Sequence, residues 1–181
     1  MVTTMWARID NGAVAELTDI DPAGRFHLSL QWEMADATVQ IGDLYDGQAY
    51  SRPVEPIEEL ATRQRAKIDA ALAAALAAGM PYTMPDGTDD VVQTRPEDEP
   101  NLLGLAIEAR DLRDAGVTDA GQVLRAQSNK LYAMTPPQMI AVTDAAKAFK
   151  KQQLAHSWAR KDEIKAALEA SDRAALEAID W

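Results

Sequence analysis

Apolar and polar residues alternate along much of the first 50 positions, a pattern that predicts β-strands with one buried face. Residues 4–10 and 13–18 flank Asn11-Gly12, a dipeptide that suits the two positive φ angles of a type I′ turn, so they predict a β-hairpin. Asp46-Gly47 predicts a second hairpin. Between the hairpins, a turn at residues 21–24 leads to apolar residues at alternate positions: Phe26, Leu28, Leu30 and Trp32. We therefore expect an antiparallel sheet of about four strands that ends near Pro53.

From Pro56 to Ala78 the spacing of apolar residues changes from two to mostly four, which predicts a helix of about six turns. Acidic residues in its first turn and Gly79 after its end agree with the preferences of helix termini. The helix is rich in alanine, which suits close packing against another helix or a stalk between modules. An ordinary helix in a two-layer domain is the alternative.

The remainder of the chain alternates between hairpins and helices. Turn residues predict hairpins over residues 81–94 and 122–134, separated by a helix at about residues 101–115. Thr135 as N-cap, Pro136 at the first helical position and Gln138 closing a capping box predict a long helix that runs to about residue 170. We expect a short terminal helix to follow it and to end at Trp181.

This order of elements predicts an α+β fold with three parts. A small N-terminal antiparallel β module occupies residues 1–54, and a long Ala-rich connecting helix occupies residues 55–80. A C-terminal module of β-hairpins and helices occupies residues 81–181.

Aromatic residues are scarce, at 6% of the chain, so the four tryptophans are the natural anchors of its cores. We expect Trp6 and Trp32 to serve one core and Trp158 and Trp181 another, with Trp158 on the buried face of the long helix.

The formal net charge of −11 opposes contact with nucleic acid or with an anionic membrane surface. Without cysteine, neither a disulfide nor a thiolate metal site can form. Residues 1–20 lack the pattern of a signal peptide, and the Ala-rich run at residues 70–80 is too short to span a bilayer. We therefore expect a soluble protein that is made in the cytoplasm and binds neither nucleic acid nor membrane.

No arrangement of residues predicts catalysis. His27 and His156 are far apart in sequence, and neither has a second histidine one helical turn away, so each is expected to be structural. Asp86-Gly87-Thr88-Asp89-Asp90 resembles a calcium loop superficially but lacks the required ligand spacing, so a turn with solvated carboxylates is expected. The chain contains no nucleophile elbow and no phosphate-binding loop. We predict a protein that is not an enzyme and has no cofactor, no metal site and no catalytic residue.

One stretch of this acidic chain is basic, and it lies on the predicted long helix. It contains Lys147, Lys150 and Lys151, followed by Arg160, Lys161 and Lys165. These side chains can bind an acidic partner surface, such as residues 97–99 of another copy, or they can form a solvated face.

Several short motifs resemble those of bacteriophage tail proteins. Residues 6–16, residues 19–22, Phe26-His27 and the hairpin at residues 45–53, which reads Tyr-Asp-Gly-Gln-Ala-Tyr-Ser-Arg-Pro, resemble the N-terminal module of phage and prophage tail-fibre proteins and of small tail proteins encoded beside them. Leu28 stands where proline is usual after Phe-His. Residues 63–181 resemble an uncharacterised α+β domain that is common in phage tail and tail assembly proteins.

The resemblance implies a structural component of the baseplate or proximal tail fibre, located in the virion tail and made in the host bacterial cytoplasm. Its expected partners are other tail proteins, and a homo-oligomer is expected. The candidate partner-binding residues are Trp6, Trp32, Tyr45, Tyr50, Lys147, Lys150 and Lys151. An assembly chaperone that leaves the mature particle is one alternative. A module that binds or hydrolyses host-surface glycans, with Trp6, Trp32 or Tyr50 stacking on sugars, is another.

Overall fold

A computed structural model describes residues 5–181, and the chain divides into two units between Pro56 and Ile57. The first unit is a β-sheet, and the second combines helices with two β-hairpins. The predicted α+β fold class is thereby confirmed. Thr4, the first residue of the predicted opening strand, lies outside the described residues.

The first unit contains five antiparallel strands: β1 (Met5–Asp10), β2 (Ala13–Thr18), β3 (Gln31–Ala35), β4 (Leu44–Tyr45) and β5 (Tyr50–Ser51). They lie in the order β3-β1-β2-β4-β5. Asn11 and Gly12 connect β1 to β2 with φ angles of 50° and 77°, both positive as a type I′ turn requires, which confirms the first predicted hairpin. The turn at Asp46 and Gly47 connects β4 to β5 and confirms the second.

The segment between β2 and β3 differs from the predicted alternation. Residues 19–30 form turns and loops, and the strand begins only at Gln31. Leu28 is 100% exposed. Ile9 pairs with Gln31, and β1 ends at Asp10, so a strand extended back from Gln31 would run past the end of β1 and find no backbone partner there. The apolar residues of this segment therefore remain at the surface.

Residues 39–43, predicted as part of a strand, form a turn that is held by a buried carboxylate. Asp43 Oδ2 accepts a hydrogen bond of 2.8 Å from the Gln40 backbone N–H, and Asp43 Oδ1 lies 3.2 Å from Arg52 Nε. This local arrangement competes with strand pairing and shortens β4 to two residues.

The core of the first unit is small and lies on one face of the sheet. Its buried residues are Ala7, Ile9, Val14 and Val39, against which Leu17, Ala35, Tyr45 and Tyr50 pack. Trp6 and Trp32, expected to anchor this core, are half-buried and do not belong to it. They lie at strand positions that alternate with the core positions, so they face the opposite side of the sheet.

The second unit follows the predicted order of hairpins and helices. Its elements are α1 (Ile57–Ala78), β6 (Met80–Thr83), β7 (Asp89–Val92), a 3₁₀ helix (Pro96–Asp98), α2 (Glu99–Asp114), β8 (Gln122–Arg125), β9 (Leu131–Met134), α3 (Pro136–Glu169) and α4 (Arg173–Ala178). The Thr135 backbone N–H donates to Gln138 Oε1 at 2.9 Å in the predicted capping box. The terminal helix ends at Ala178 instead of Trp181.

Two hydrophobic clusters stabilise the second unit. One joins both hairpins to α2 and the first half of α3, and it is centred on residues such as Met134, Met139 and Val142. The other joins α1 to the last part of α3 and to α4 through residues such as Leu60 and Ile164. Helix α1, interpreted from sequence as a connecting helix, therefore packs on α3 and α4 within one unit. The three-part division of the chain stays a prediction.

The expected burial of Trp158 on the long helix is wrong, because its side chain is 62% exposed. Its neighbour Ser157 occupies the buried position at this point of α3. Trp181 is half-buried and packs against the cluster of α1, α3 and α4, where its ring contacts His156 edge-on at a centroid distance of 4.7 Å. A long helix buries only a narrow stripe of its surface, so adjacent residues such as Ser157 and Trp158 can differ completely in burial.

Candidate functional site

The outer face of the sheet in the first unit carries a group of exposed and half-buried apolar side chains. Trp6 on β1 lies directly opposite Met34 on β3, and Arg8 lies opposite Trp32 two positions further along. Arg8 Nε also donates to Glu16 Oε2 across β1 and β2 at 3.2 Å. Met34 is 65% exposed. We call Trp6, Phe26, Trp32 and Met34 the aromatic face.

The loop before β3 contributes to the aromatic face through Phe26. Its ring stacks on the ring of Trp32, with centroids 4.7 Å apart and planes inclined by 30°. The indole Nε1 of Trp32 is buried and has no hydrogen-bond partner among the described residues. The stack fixes the orientation of both rings and covers one side of the Trp32 indole. The apolar surface is therefore already ordered before any partner binds.

Tyr45 and Tyr50, the other candidate residues of this unit, lie apart from Trp6 and Trp32 on the core side of the sheet. Their rings are 4.8 Å apart and pack against the small core. Burial raises the pKa of both phenols, and the charge of Glu33 raises them further. The Tyr50 hydroxyl donates to the Met34 carbonyl at 3.2 Å. Their packing and hydrogen bonds give these rings a structural role.

The three candidate lysines belong to α3 in the second unit, and two of them line a groove between α2 and α3. Lys150 forms an ion pair with Glu99 at the start of α2. Lys147 also lines the groove, is exposed and makes no ion pair with a described residue. Lys151 is exposed and does not line the groove. Residues 97–99 were considered as an acidic surface that binds another copy, but Glu99 is paired with Lys150 of the same chain.

The groove has a volume of about 510 Å³, with apolar walls from α2 and basic groups at its rim. Leu103 and Ile107, one helical turn apart on α2, are 58% and 53% exposed. Arg110 Nη2 lies 2.6 Å from Asp144 Oδ1 and so ties α2 to α3. Sequence reasoning did not identify this groove, because it exists only when α2 docks on α3. The sequence feature that could have indicated it is the pair of apolar residues Leu103 and Ile107, which lie beside the buried stripe of α2.

The acidic turn at residues 86–90 belongs to the first hairpin of the second unit, and its side chains bind residues of the second hairpin. Lys130 Nζ lies 2.7 Å from Asp86 Oδ2, and this hydrogen bond lowers the pKa of Asp86 to about 2. Asp90 accepts hydrogen bonds from the hydroxyls of Ser128 and Tyr132, and the Ser128 bond in particular lowers the pKa of Asp90 to about 2. Both carboxylates thus bind the neighbouring hairpin, and Asp86 remains exposed to solvent as well.

The remaining candidate chemistry is dispersed over the two units. His27 lies in the first unit, with Nδ1 2.8 Å from Ser29 Oγ, and His156 lies in the second. Within residues 5–181, no group of three or more His, Cys, Asp or Glu side chains could hold a metal ion. None of the helices in that range is long and apolar enough to cross a membrane.

Comparisons with known proteins identify the second unit. Neither curated proteins nor solved structures give a match to the chain. A family model described as "Domain of unknown function (DUF4376)" matches residues 59–180, which is nearly the whole second unit and about two thirds of the chain. The first unit, with its aromatic face, lies outside this match. The chain therefore belongs to the DUF4376 family.

Proposed function

We propose that this protein is a non-enzymatic component of a bacteriophage or prophage tail, part of the baseplate or of the proximal tail fibre. It acts through protein contacts, and the aromatic face of the first unit binds a neighbouring tail protein. The observation that carries the proposal is this face, with Trp6, Met34 and the Phe26–Trp32 stack held on the side of the sheet away from its core.

The chemistry of the aromatic face supports binding to a protein. Tryptophan, phenylalanine and methionine are enriched in the centres of protein interfaces, whereas charged residues are enriched at their rims. Arg8 and Glu16 occupy the same face as a hydrogen-bonded ion pair with a partly exposed arginine. A partner that covers the rings would therefore gain apolar contacts, and it would find Arg8 and Glu16 already paired with each other. The motif resemblance of residues 6–53 to tail-fibre proteins supports a tail protein as that partner.

The test measures whether the protein is part of the particle and whether the aromatic face holds it there. Tail particles from the source phage or prophage are purified, and the chain is quantified by mass spectrometry against the major tail-tube protein. We expect a fixed ratio for the unmodified chain. Absence from particles, with the protein present in the lysate, would contradict the structural role and favour an assembly chaperone.

Two matched substitutions locate the contact. Met34→Glu places a charge on the aromatic face, whereas Ile41→Glu places one in a turn of the same unit; the two side chains are 65% and 66% exposed. Both variants should keep the circular dichroism of the unmodified chain. We expect Met34→Glu to be lost from particles and Ile41→Glu to be retained. Equal incorporation of both would contradict a contact through the aromatic face, and binding of the chain to a host glycan array would favour a sugar-binding module.

A further inference from the structure

We propose that the groove between α2 and α3 binds an acidic amphipathic helix of a partner protein. This site lies in the second unit, and the inference does not depend on the tail assignment or on the aromatic face. The occupant presents apolar side chains to Leu103 and Ile107 and carboxylates to the basic rim.

The shape of the groove favours a helix as its occupant. Two ion pairs tie α2 to α3, one between Glu99 and Lys150 and the other between Arg110 and Asp144. They are eleven residues apart on α2, which corresponds to a length of about 16 Å, or three helical turns. Two packed helices leave a furrow that receives the side-chain ridge of a third helix. A row of side chains at i and i+4 on the occupant matches the exposed pair Leu103 and Ile107, which have the same spacing.

The charge around the groove favours an acidic occupant. Four basic side chains line it, Arg95, Arg110, Lys147 and Lys150, but only two acidic ones, Glu99 and Asp144. Three of the four basic groups are paired within the chain: Arg95 with Asp98, Arg110 with Asp144 and Lys150 with Glu99. Lys147 is the member of the set that has no ion pair with a described residue, so it is available for a carboxylate.

A second copy of this chain fits the groove less well. Its most acidic run, residues 97–99, is already engaged, because Asp98 forms an ion pair with Arg95 and Glu99 forms one with Lys150. Each copy also carries a net charge of −11, which opposes their approach. A different protein with an unpaired acidic helix avoids the first obstacle, and a net charge smaller than −11 on that protein lessens the second.

The experiment uses the full chain and two synthetic helical peptides of about four turns each. One peptide has leucines at i and i+4 spacing along a single face, with glutamates beside them. The other has the same leucines but lysines in place of the glutamates. Binding is measured by isothermal titration calorimetry, and amide chemical shifts locate the contact. We expect the glutamate peptide to bind with its shift changes on α2 and α3, and the lysine peptide to bind at least about tenfold more weakly.

Matched variants test each half of the site. Lys147→Glu and Lys151→Glu make the same charge change on the same helix, but only Lys147 lines the groove. Ile107→Ser and Leu131→Ser remove apolar side chains that are 53% and 57% exposed in the same unit, and only Ile107 lies in the groove. We expect the two groove variants to weaken binding about fivefold to tenfold and the two control variants to change it less than about twofold.

Three outcomes would overturn the proposal. The first is no binding of the glutamate peptide, or equal binding of both peptides. The second is binding that the groove variants leave unchanged although they fold normally. The third is a dimer of the unmodified chain in sedimentation equilibrium that Ile107→Ser dissociates and Leu131→Ser does not, because a second copy would then occupy the groove.

Discussion

The two units differ in where they place their large apolar side chains. Among the described residues, the first unit buries four core residues on one face of a sheet, whereas the second buries eleven and seven in two clusters. Of the exposed large hydrophobic residues, eight lie in the first unit: Ile20, Phe26, Leu28, Leu30, Met34, Ile41, Leu44 and Val54. Six lie in the second, although it is more than twice as long: Leu103, Ile107, Val117, Val123, Leu131 and Trp158.

This difference predicts that the first unit is the less stable of the two, and it supports the proposed role of that unit in binding. A unit of about 50 residues buries a smaller fraction of its surface on folding than a larger unit does, and it is marginally stable on its own core. The first unit also leaves apolar side chains at its surface, and an exposed apolar surface of this kind marks an interaction site. The second unit has enough buried area to fold around its own clusters. Matched substitutions in the two units can break or sharpen this comparison.

The largest expected effect comes from truncating one core residue in each unit. Met139→Ala in the second unit should cost about 2–5 kcal/mol, and Val14→Ala in the first should cost about 2 kcal/mol, because each removes fully buried methyl or methylene groups. Despite its smaller cost, Val14→Ala should unfold the first unit at room temperature, whereas Met139→Ala should leave the second unit folded with a lower urea midpoint. Amide exchange measured residue by residue checks both results. A first unit that stays protected in Val14→Ala would contradict the comparison.

The second prediction concerns packing density at two glycines with positive φ. Gly79, between α1 and β6, has a φ of 81°, and a Cβ there would lie 2.5 Å from a Val91 side-chain carbon and 2.7 Å from the Val92 carbonyl oxygen. Gly24 in the first unit has a φ of 71°, but a Cβ there would contact nothing within 4 Å. Both alanine variants incur the strain of the left-handed conformation, about 1–2 kcal/mol. We expect Gly79→Ala to cost a further 1–3 kcal/mol or so, because it overpacks the site.

Thermal unfolding of the two alanine variants measures this difference. Gly87→Ala provides a control within the second unit, since its φ is 83° and its added Cβ also meets nothing within 4 Å. If Gly79→Ala lowers the melting temperature no more than Gly87→Ala does, the close packing of residue 79 against β7 is contradicted.

The sequence predicts features that depend on neighbouring residues better than features that depend on residues far apart in the chain. The Asn11-Gly12 turn and the Thr135 capping box were predicted correctly, because a few adjacent residues determine them. The prediction of a strand near Phe26 was wrong, because β1, the strand it would pair with, ends at Asp10. The predicted burial of Trp158 was wrong because a shift of one residue along a helix moves a side chain out of the buried stripe.

The candidate sites follow the same rule. Trp6 and Trp32 could be identified as prominent aromatic residues, but their placement on the outer face follows from the register of β1 and β3. The groove needs α2 and α3 in contact, and residues 107 and 147 that line it are separated by a complete hairpin. Tertiary contacts of this range leave no periodic signal in one sequence.

The third prediction compares the acid sensitivity of the two units. In the second unit, hydrogen bonds from a different hairpin hold the pKa of Asp86 and Asp90 at about 2, below the ordinary value near 4. In the first unit, the pKa of Asp36 is lowered by bonds from its neighbour Thr38. A lowered pKa in the folded state adds stability above the unfolded value, and that stability is lost as the pH falls through the folded value.

We therefore expect the link between the two hairpins of the second unit to weaken as the pH falls from about 4 to about 2. Asp90→Asn should lower the melting temperature by a few degrees at neutral pH and by much less at the acid end of this range. Asp89→Asn, on the same strand, is the control, because the side chain of Asp89 bonds to Thr83 within its own hairpin and to no other side chain of residues 5–181. A pH dependence identical in both variants would show that the contacts between the hairpins do not carry the effect.

The smallest expected effect is at Ser157, where the second unit buries a polar atom at some cost. Ser157 is 1% exposed, and its Oγ has no hydrogen-bond partner among the described residues. Removing a buried hydroxyl that lacks a partner also removes its desolvation penalty, and alanine has the higher helix propensity. Ser157→Ala should therefore stabilise the second unit by up to about 1 kcal/mol.

Ser29 in the exposed loop of the first unit gives the contrasting case, because its hydroxyl lies 2.8 Å from His27 Nδ1 and is accessible to water. Ser29→Ala should leave stability nearly unchanged, since water replaces that contact. Urea unfolding of both variants checks the pair. A loss of stability in Ser157→Ala would mean that the Ser157 hydroxyl forms a hydrogen bond in the folded protein. Burial of this polar group would then not destabilise the second unit.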